Sequence, residues 1–190
     1  MRNLFSPRRS LAANQSGLAT IEFALASTVL VIGLLNGLEV ARWSLQRMEV
    51  ANAVHSATLA VWNACDTKHV PALKVVNAGT TPATLQCTGV TNAINTGLQT
   101  TSLGTGVTLA SGYPNEGYYC VNSSGVLTSV ANYNANPPST CSSQGDSTHA
   151  PGDYVIVQAT YTYTPLINGF PTVGSSLPST ITSTGWIRLK

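Results

Sequence analysis

Charge is scarce in this chain. Lys, Arg, Asp and Glu make up 8% of its 190 residues, against about 25% in a typical soluble domain. The nine Lys and Arg form no stripe or cluster beyond the N-terminal arginines. That excludes a nucleic-acid interface, which needs concentrated positive charge to displace counterions. Arg2, Arg8 and Arg9 all precede Glu22, the first acid, and the six remaining basic side chains face seven acids. No basic surface is left to steer an acidic partner. Cys-x-x-Cys is absent, which removes the usual zinc frame, and there is no glycine-rich phosphate loop and no internal repeat. Cysteine is missing from the first 64 residues. Long apolar runs are missing too, with a single exception near the N-terminus.

The polar balance comes instead from Ser, Thr, Asn and Gly, a surface suited to an exported domain of strands and loops. The four cysteines, Cys65, Cys87, Cys120 and Cys141, all follow the apolar run. An even count in an exported domain reads as disulfides. Four cysteines allow three pairings. Cys65–Cys87 with Cys120–Cys141 is favoured, because each closes a local loop without crossing the other. In the chain-entropy account, loops of that length each stabilise the fold by roughly 3 kcal/mol.

Residues 1–17 are basic and polar, with Pro7 and no apolar pattern. Residues 18–38, LATIEFALASTVLVIGLLNGL, carry only Glu22 as a charge. A membrane span needs about 20 mainly apolar residues, so the run just suffices. A cleavable secretory signal would need a small-x-small site after the run. Ala24-Leu-Ala26 lies inside it and nothing suitable follows Leu38, so the segment is expected to stay attached. Three arginines before the span and Arg42 and Arg47 after it give a slight positive-inside bias. The cysteines place the C-terminal side in an oxidising compartment, and Trp43 falls where an interfacial aromatic would anchor.

Helical periodicity continues past the span. Val40, Trp43, Val50, Val54, Ala57 and Val61 fall on one stripe, and Glu39 and Arg42 stand one turn apart. No Pro or Gly lies between Leu38 and Cys65. One continuous helix is therefore expected over about residues 18–64, roughly 70 Å long at 1.5 Å per residue. After Cys65, Pro71, Gly79, Pro82 and Gly89 punctuate a loop-rich stretch, followed by a short helix near 90–99. Strands are expected at 105–111, 117–121 and 126–131, with Asn122-Ser-Ser-Gly125 as the turn between the last two. Residues 132–152 read as a polar loop pinned by the second disulfide. In the strand 153–164, Val155, Val157, Ala159, Tyr161 and Tyr163 share one face, and Pro165 ends it. In 180–190, Ile181, Ser183, Gly185, Ile187 and Leu189 do the same. The fold class is α+β: a long N-terminal transmembrane and amphipathic helix packed on a C-terminal antiparallel sheet. The expected divisions are a leader (1–17), a transmembrane helix (18–38), its extracytoplasmic continuation (39–64) and a disulfide-stabilised β-rich domain (65–190).

The junction between leader and span is Gly17-Leu18-Ala-Thr-Ile-Glu22-Phe23. A carboxylate at membrane depth is expensive and is a functional candidate by default. Gly17, Leu18, Glu22 and Phe23, behind a basic leader and ahead of a long helix, resemble type IV prepilins. The Glu-Phe pair, Glu39, Arg42 and the amphipathic extension are similar to the TadE-like pseudopilins of the tight-adherence (Tad, Flp-type) pilus system. The late strand ending Tyr161-Thr-Tyr163-Thr-Pro165-Leu166 is similar to the C-terminal region of that family. The resemblance is specific over about residues 16–50. It implies cleavage between Gly17 and Leu18 by a membrane prepilin peptidase. It also implies a minor-pilin role in assembling an adhesive pilus that serves adhesion and biofilm formation. The implied partners are other Tad pilins and pseudopilins and the inner-membrane assembly platform. The implied location is the bacterial cytoplasmic membrane, N-terminus inside and the β-rich domain periplasmic or extracellular. Cleavage would give Leu18 a cationic α-amino group, which could pair with Glu22 of a neighbouring subunit and make its burial tolerable. Gly33 and Gly37 form a small-xxx-small pair that permits close approach of helices.

The signals for chemistry are thin. His55 lies on the helix off the main stripe, and His69 and His149 lie in loops. Cys65 and His69 have a metal-like spacing, but Cys65 is better used in a disulfide. Gly145-Asp146-Ser147 with nearby His149 resembles a hydrolase nucleophile block, yet it sits in a Pro- and Ser-rich loop rather than after a buried strand. Asn122-Ser-Ser124 matches a glycosylation sequon but reads as a turn. No enzyme activity, cofactor, metal or small-molecule substrate is expected. The alternative to a processed pilin is an uncleaved, membrane-anchored binding or adhesion module.

Overall fold

A computed structural model describes residues 15–65, 68–77, 84–166 and 176–190. Most of the expected leader, residues 1–14, lies outside them. The chain divides into two compact units: Met1–Arg42 with Pro165–Leu177, and Trp43–Thr164 with Pro178–Lys190.

The long helix α1 runs from Gln15 to Ala64. Its start lies upstream of Leu18, so Gly17 is an interior helical residue. The expected length is otherwise reproduced, because nothing between Leu38 and Cys65 interrupts the backbone ladder. The helix is long and apolar enough to cross a membrane, and none of its apolar window is buried within the chain. Leu18, Ile21, Phe23, Leu25, Val29 and Leu30 are all exposed.

The second unit holds the core. Along α1, Val50, Ala53, Val54, Ala57 and Val61 are essentially inaccessible, at the three- and four-residue steps of one helix face. Val40 departs from the expected stripe. It is 40% exposed, while Glu39 beside it is 2% exposed. The buried line thus passes through position 39, where the side chain is charged and hydropathy gives no hint. Trp43 is half-buried, with the Arg47 guanidinium 5.5 Å from its ring centroid, a cation–π arrangement.

After α1 come a short two-stranded antiparallel sheet, β1 (Val75–Asn77) with β2 (Thr84–Leu85), and helix α2 (Val90–Leu98). Sequence patterning found α2 but not β1 or β2, which are too short to show an alternation. The main sheet comprises β3 (Val107–Leu109), β4 (Asn115–Val121), β5 (Leu127–Asn132), β6 (Gly152–Thr162) and β7 (Thr180–Arg188). All pairings are antiparallel. β6 is central: β7 lies along one side, β3 and β4 share the other, and β5 lies beyond β4. The β4–β5 turn falls at the expected place, closed by Asn122 Oδ1 accepting the Ser124 and Val126 N–H groups and by Gly125 at positive φ.

The inner faces follow the period of two. Val155, Val157, Ala159 and Tyr163 are buried, and on β7 Ile181 is buried while Thr180, Thr182 and Thr184 are exposed. Two glycines set how closely the helix and its neighbours approach. A Cβ on Gly185 would lie 2.7 Å from Val54 Cγ1 and 2.8 Å from Thr58 Cγ2. On Gly97 it would lie 2.6 Å from the Ala57 Cα. The α+β class is thus realised as a helix packed on an antiparallel sheet. The cysteines pair as expected, Cys65–Cys87 and Cys120–Cys141, with Cα separations of 5.6 and 5.7 Å.

Candidate functional site

The helical segment around the Gly17–Leu18 junction is open on every side. Leu18, Glu22 and Phe23 are exposed, and no atom of the described chain would meet a Cβ placed on Gly17. Further along, Gly33 and Gly37 face open space in the same way. Thr28 Oγ1 donates to Ala24 O at 2.8 Å and Asn36 Nδ2 to Ile32 O at 2.9 Å. Polar side chains in the apolar stretch are therefore satisfied by their own helix, the usual way to carry them into hydrocarbon. Glu22 is the group whose charge would have to be matched from outside. The segment thus presents a carboxylate, an apolar flank and two glycines that no atom of the described chain covers.

Where this stretch ends, Glu39 does structural work. Its buried carboxylate accepts the backbone N–H of Leu166 at 3.1 and 3.3 Å. A charge-assisted bond of this kind fixes the chain just after Pro165. Sequence spacing gave Glu39 only a helical neighbour, because a contact 127 residues away leaves no local pattern.

A second charged feature lies on the inner face of the main sheet. Glu116 on β4 and Asp153 on β6 are each 2% exposed. The register sets Glu116 opposite Val155 and Tyr118 opposite Asp153, so the two carboxyls are diagonal neighbours on one face. Glu116 Oε1 accepts Ala72 N–H and Oε2 accepts Leu73 N–H, both at 2.6 Å. Burial raises its pKa, partly offset by those two backbone donors. Asp153 is pushed up to about 7, first by burial, then by the Glu116 charge and by side-chain contact with it, while Lys190 opposes the shift. That contact is looser than an ordinary hydrogen bond, since neither Asp153 oxygen has a partner in good geometry among the described residues. Two like charges in one dry place favour retention of a proton. Sequence patterning missed the pair. The alternation of Val155, Val157 and Ala159 does carry the signal, because extending it backwards points Asp153 inwards.

The loop near Ser147 is a local knot. Asp146 Oδ1 accepts Thr148 N–H at 2.8 Å and Thr148 Oγ1–H at 2.6 Å, and Oδ2 lies 2.7 Å from His149 Nδ1. The Thr148 and His149 contacts hold the Asp146 carboxyl well below the usual carboxylate range. Ser147 is exposed and makes no recorded hydrogen bond to His149 among the described residues. Cys65 is committed to Cys87 rather than set beside His69 as a ligand. Among the described residues no group of three or more His, Cys, Asp or Glu could hold a metal ion.

Comparison with known protein families, with characterised proteins and with solved structures finds no match to this chain.

Proposed function

We propose that the chain is a pseudopilin, a minor pilin of the TadE-like kind. In this reading it is cleaved after Gly17 and acts in the assembly of an adhesive Tad-type pilus. The observation that carries the reading is the Gly17–Phe23 motif. It opens a 50-residue helix whose apolar first part is uncovered, while one face of residues 50–61 is buried in the core of a disulfide-bonded domain. An uncovered apolar helix with one carboxylate suits a subunit that first rests in a bilayer and then packs helix to helix. The disulfides fit an oxidising compartment for the C-terminal domain, with the N-terminus in the cytoplasm. The partners of this reading are a prepilin peptidase, other pilins of the system and its membrane assembly platform.

Intact mass of the protein recovered from membranes, with and without a co-expressed prepilin peptidase, tests processing. Loss of residues 1–17 only when the peptidase is present is the expected result. A full-length mass in both samples would favour the uncleaved, membrane-anchored binding module instead.

A further inference from the structure

The buried carboxyl pair has no part in the pilin reading, and its placement asks for a different role. Among the described residues Glu116 is the acceptor for two consecutive backbone amides, Ala72 and Leu73. These amides belong to the lobe closed by Cys65–Cys87. Within that lobe Cys87 N–H donates to Ala72 O at 3.0 Å, Gln86 N–H to Lys74 O at 2.7 Å and Gln86 Nε2 to Val70 O at 3.2 Å. Anything that loosens residues 72–73 therefore bears on the described residues bonded around them, Val70, Lys74, Gln86 and Cys87, and on the β1 and β2 strands next to these. Asp153 lies diagonal to Glu116, and its oxygens are enclosed without a donor.

We propose that Glu116 and Asp153 form a pH-operated clasp. It holds residues 72–73 to the main sheet while the pair keeps one proton, and it loosens when both carboxyls are charged. The energetic logic is local. A single negative charge on Glu116 is matched by the Ala72 and Leu73 amides. A second charge, on Asp153, gains no donor and repels the first across a site closed to water. Withdrawing residues 72–73 uncovers the Glu116 carboxylate they contact, and hydrating that charge weakens its repulsion of Asp153, so ionisation of the pair favours opening. The groups that bear on Asp153 are Glu116 and Tyr118 of β4 and Lys190 beyond β7. Lys190 is the only cation among them, and it favours the charged form. Arg188 lies close by, its Nε donating to Lys190 O at 2.8 Å. Residues 72–73 contribute only backbone amides. A domain facing the external medium experiences outside pH directly, so such a clasp would couple residues 72–73 to it.

Amide hydrogen exchange on the full chain in lipid nanodiscs, corrected for intrinsic chemical exchange, reads the clasp directly. Protection of the Ala72 and Leu73 amides should fall by about tenfold or more between about pH 5.5 and pH 8.5, as expected when release of one proton is linked to opening. The Val157 amide at the centre of the sheet should stay far more strongly protected than Ala72 and Leu73 at every pH, which separates local opening from unfolding. In Asp153→Asn the step should vanish and protection should persist at the higher pH. Glu116→Gln should leave the two amides weakly protected throughout. Protection that is flat with pH in the parent chain, or an unchanged step in Asp153→Asn, overturns the proposal. Should Glu116→Gln fail to fold, the Asp153→Asn comparison still decides. The result is independent of whether the leader is cleaved.

Discussion

At the scale of the residue, three acids carry most of the chain's interest, and each has a different neighbour. Glu22 has none within its own exposed stretch, Glu39 has the Leu166 amide, and Glu116 has two amides and Asp153. If Glu22 meets the Leu18 amine of another subunit, Glu22→Ala should leave cleavage after Gly17 intact and abolish incorporation into fibres. Anti-pilin immunoblots of sheared fibres beside whole-membrane samples measure both, and normal incorporation would rule out the latch. Asp153 makes a separate prediction about stability. Its folded pKa of about 7 lies above its ordinary value of 3.8, so the native state holds a proton that the unfolded chain has released. The resulting stabilisation is complete below about pH 4 and is lost as pH rises to about 7, levelling off above that. Thermal melts should show Tm declining across that window from this group, and Asp153→Asn should flatten the decline. A wild-type slope that the substitution leaves untouched would remove Asp153 as its cause.

At the scale of the element, α1 is one helix with two surroundings. In its first part the side chains face outwards, and glycines 33 and 37 meet nothing. In its second part the backbone itself is in contact, with Gly97 of α2 laid against Ala57. The same residue type should therefore respond differently in the two places. Gly97→Ala puts a methyl group where the nearest atoms are backbone, and overpacking of this sort costs about 1–3 kcal/mol. Gly33→Ala meets no obstacle and lies outside the folded unit, so it should leave that unit's stability unchanged. Chemical denaturation should show a loss for Gly97→Ala alone, and equal effects of the two variants would contradict the packing described. The element boundaries were largely legible beforehand. The turn at Asn122–Gly125 and the strand β6 are written in local chemistry, although β6 runs Gly152–Thr162 and stops three residues before the Pro165 expected to end it. The β1–β2 pair was not, because two- and three-residue strands are held by partners rather than by their own pattern.

At the scale of the whole molecule, covalent closure compensates for a modest core. Cys65–Cys87 spans 22 residues and Cys120–Cys141 spans 21. Each confines a loop that the unfolded chain would otherwise sample freely, worth roughly 3 kcal/mol. Replacing Cys120 and Cys141 together by Ser should lower unfolding stability by about that amount in denaturant titrations, with the polar loop of residues 132–152 the first region to be cut by protease. An unchanged midpoint would mean that the loop is ordered by its own hydrogen bonds, such as those around Asp146.

What the sequence settled by itself was whatever depends on neighbours along the chain. The unbroken helix, the apolar stretch, the alternation in β6 and β7 and the local disulfide loops all follow from periodicity, propensity and short loop closure. The helical placement of Gly17–Phe23 belongs here too, since its helix needs nothing distant. What only the tertiary structure decided was where charge goes when it leaves water. Glu39 and Glu116 look like ordinary polar positions in the sequence, and the β6 alternation points Asp153 inwards without saying what it meets. Packing buried them, and the solvation lost there had to be replaced by amides from Leu166, Ala72 and Leu73, or by keeping a proton. Those partners lie between 43 and 127 residues away from the acids they serve, beyond the reach of any local pattern.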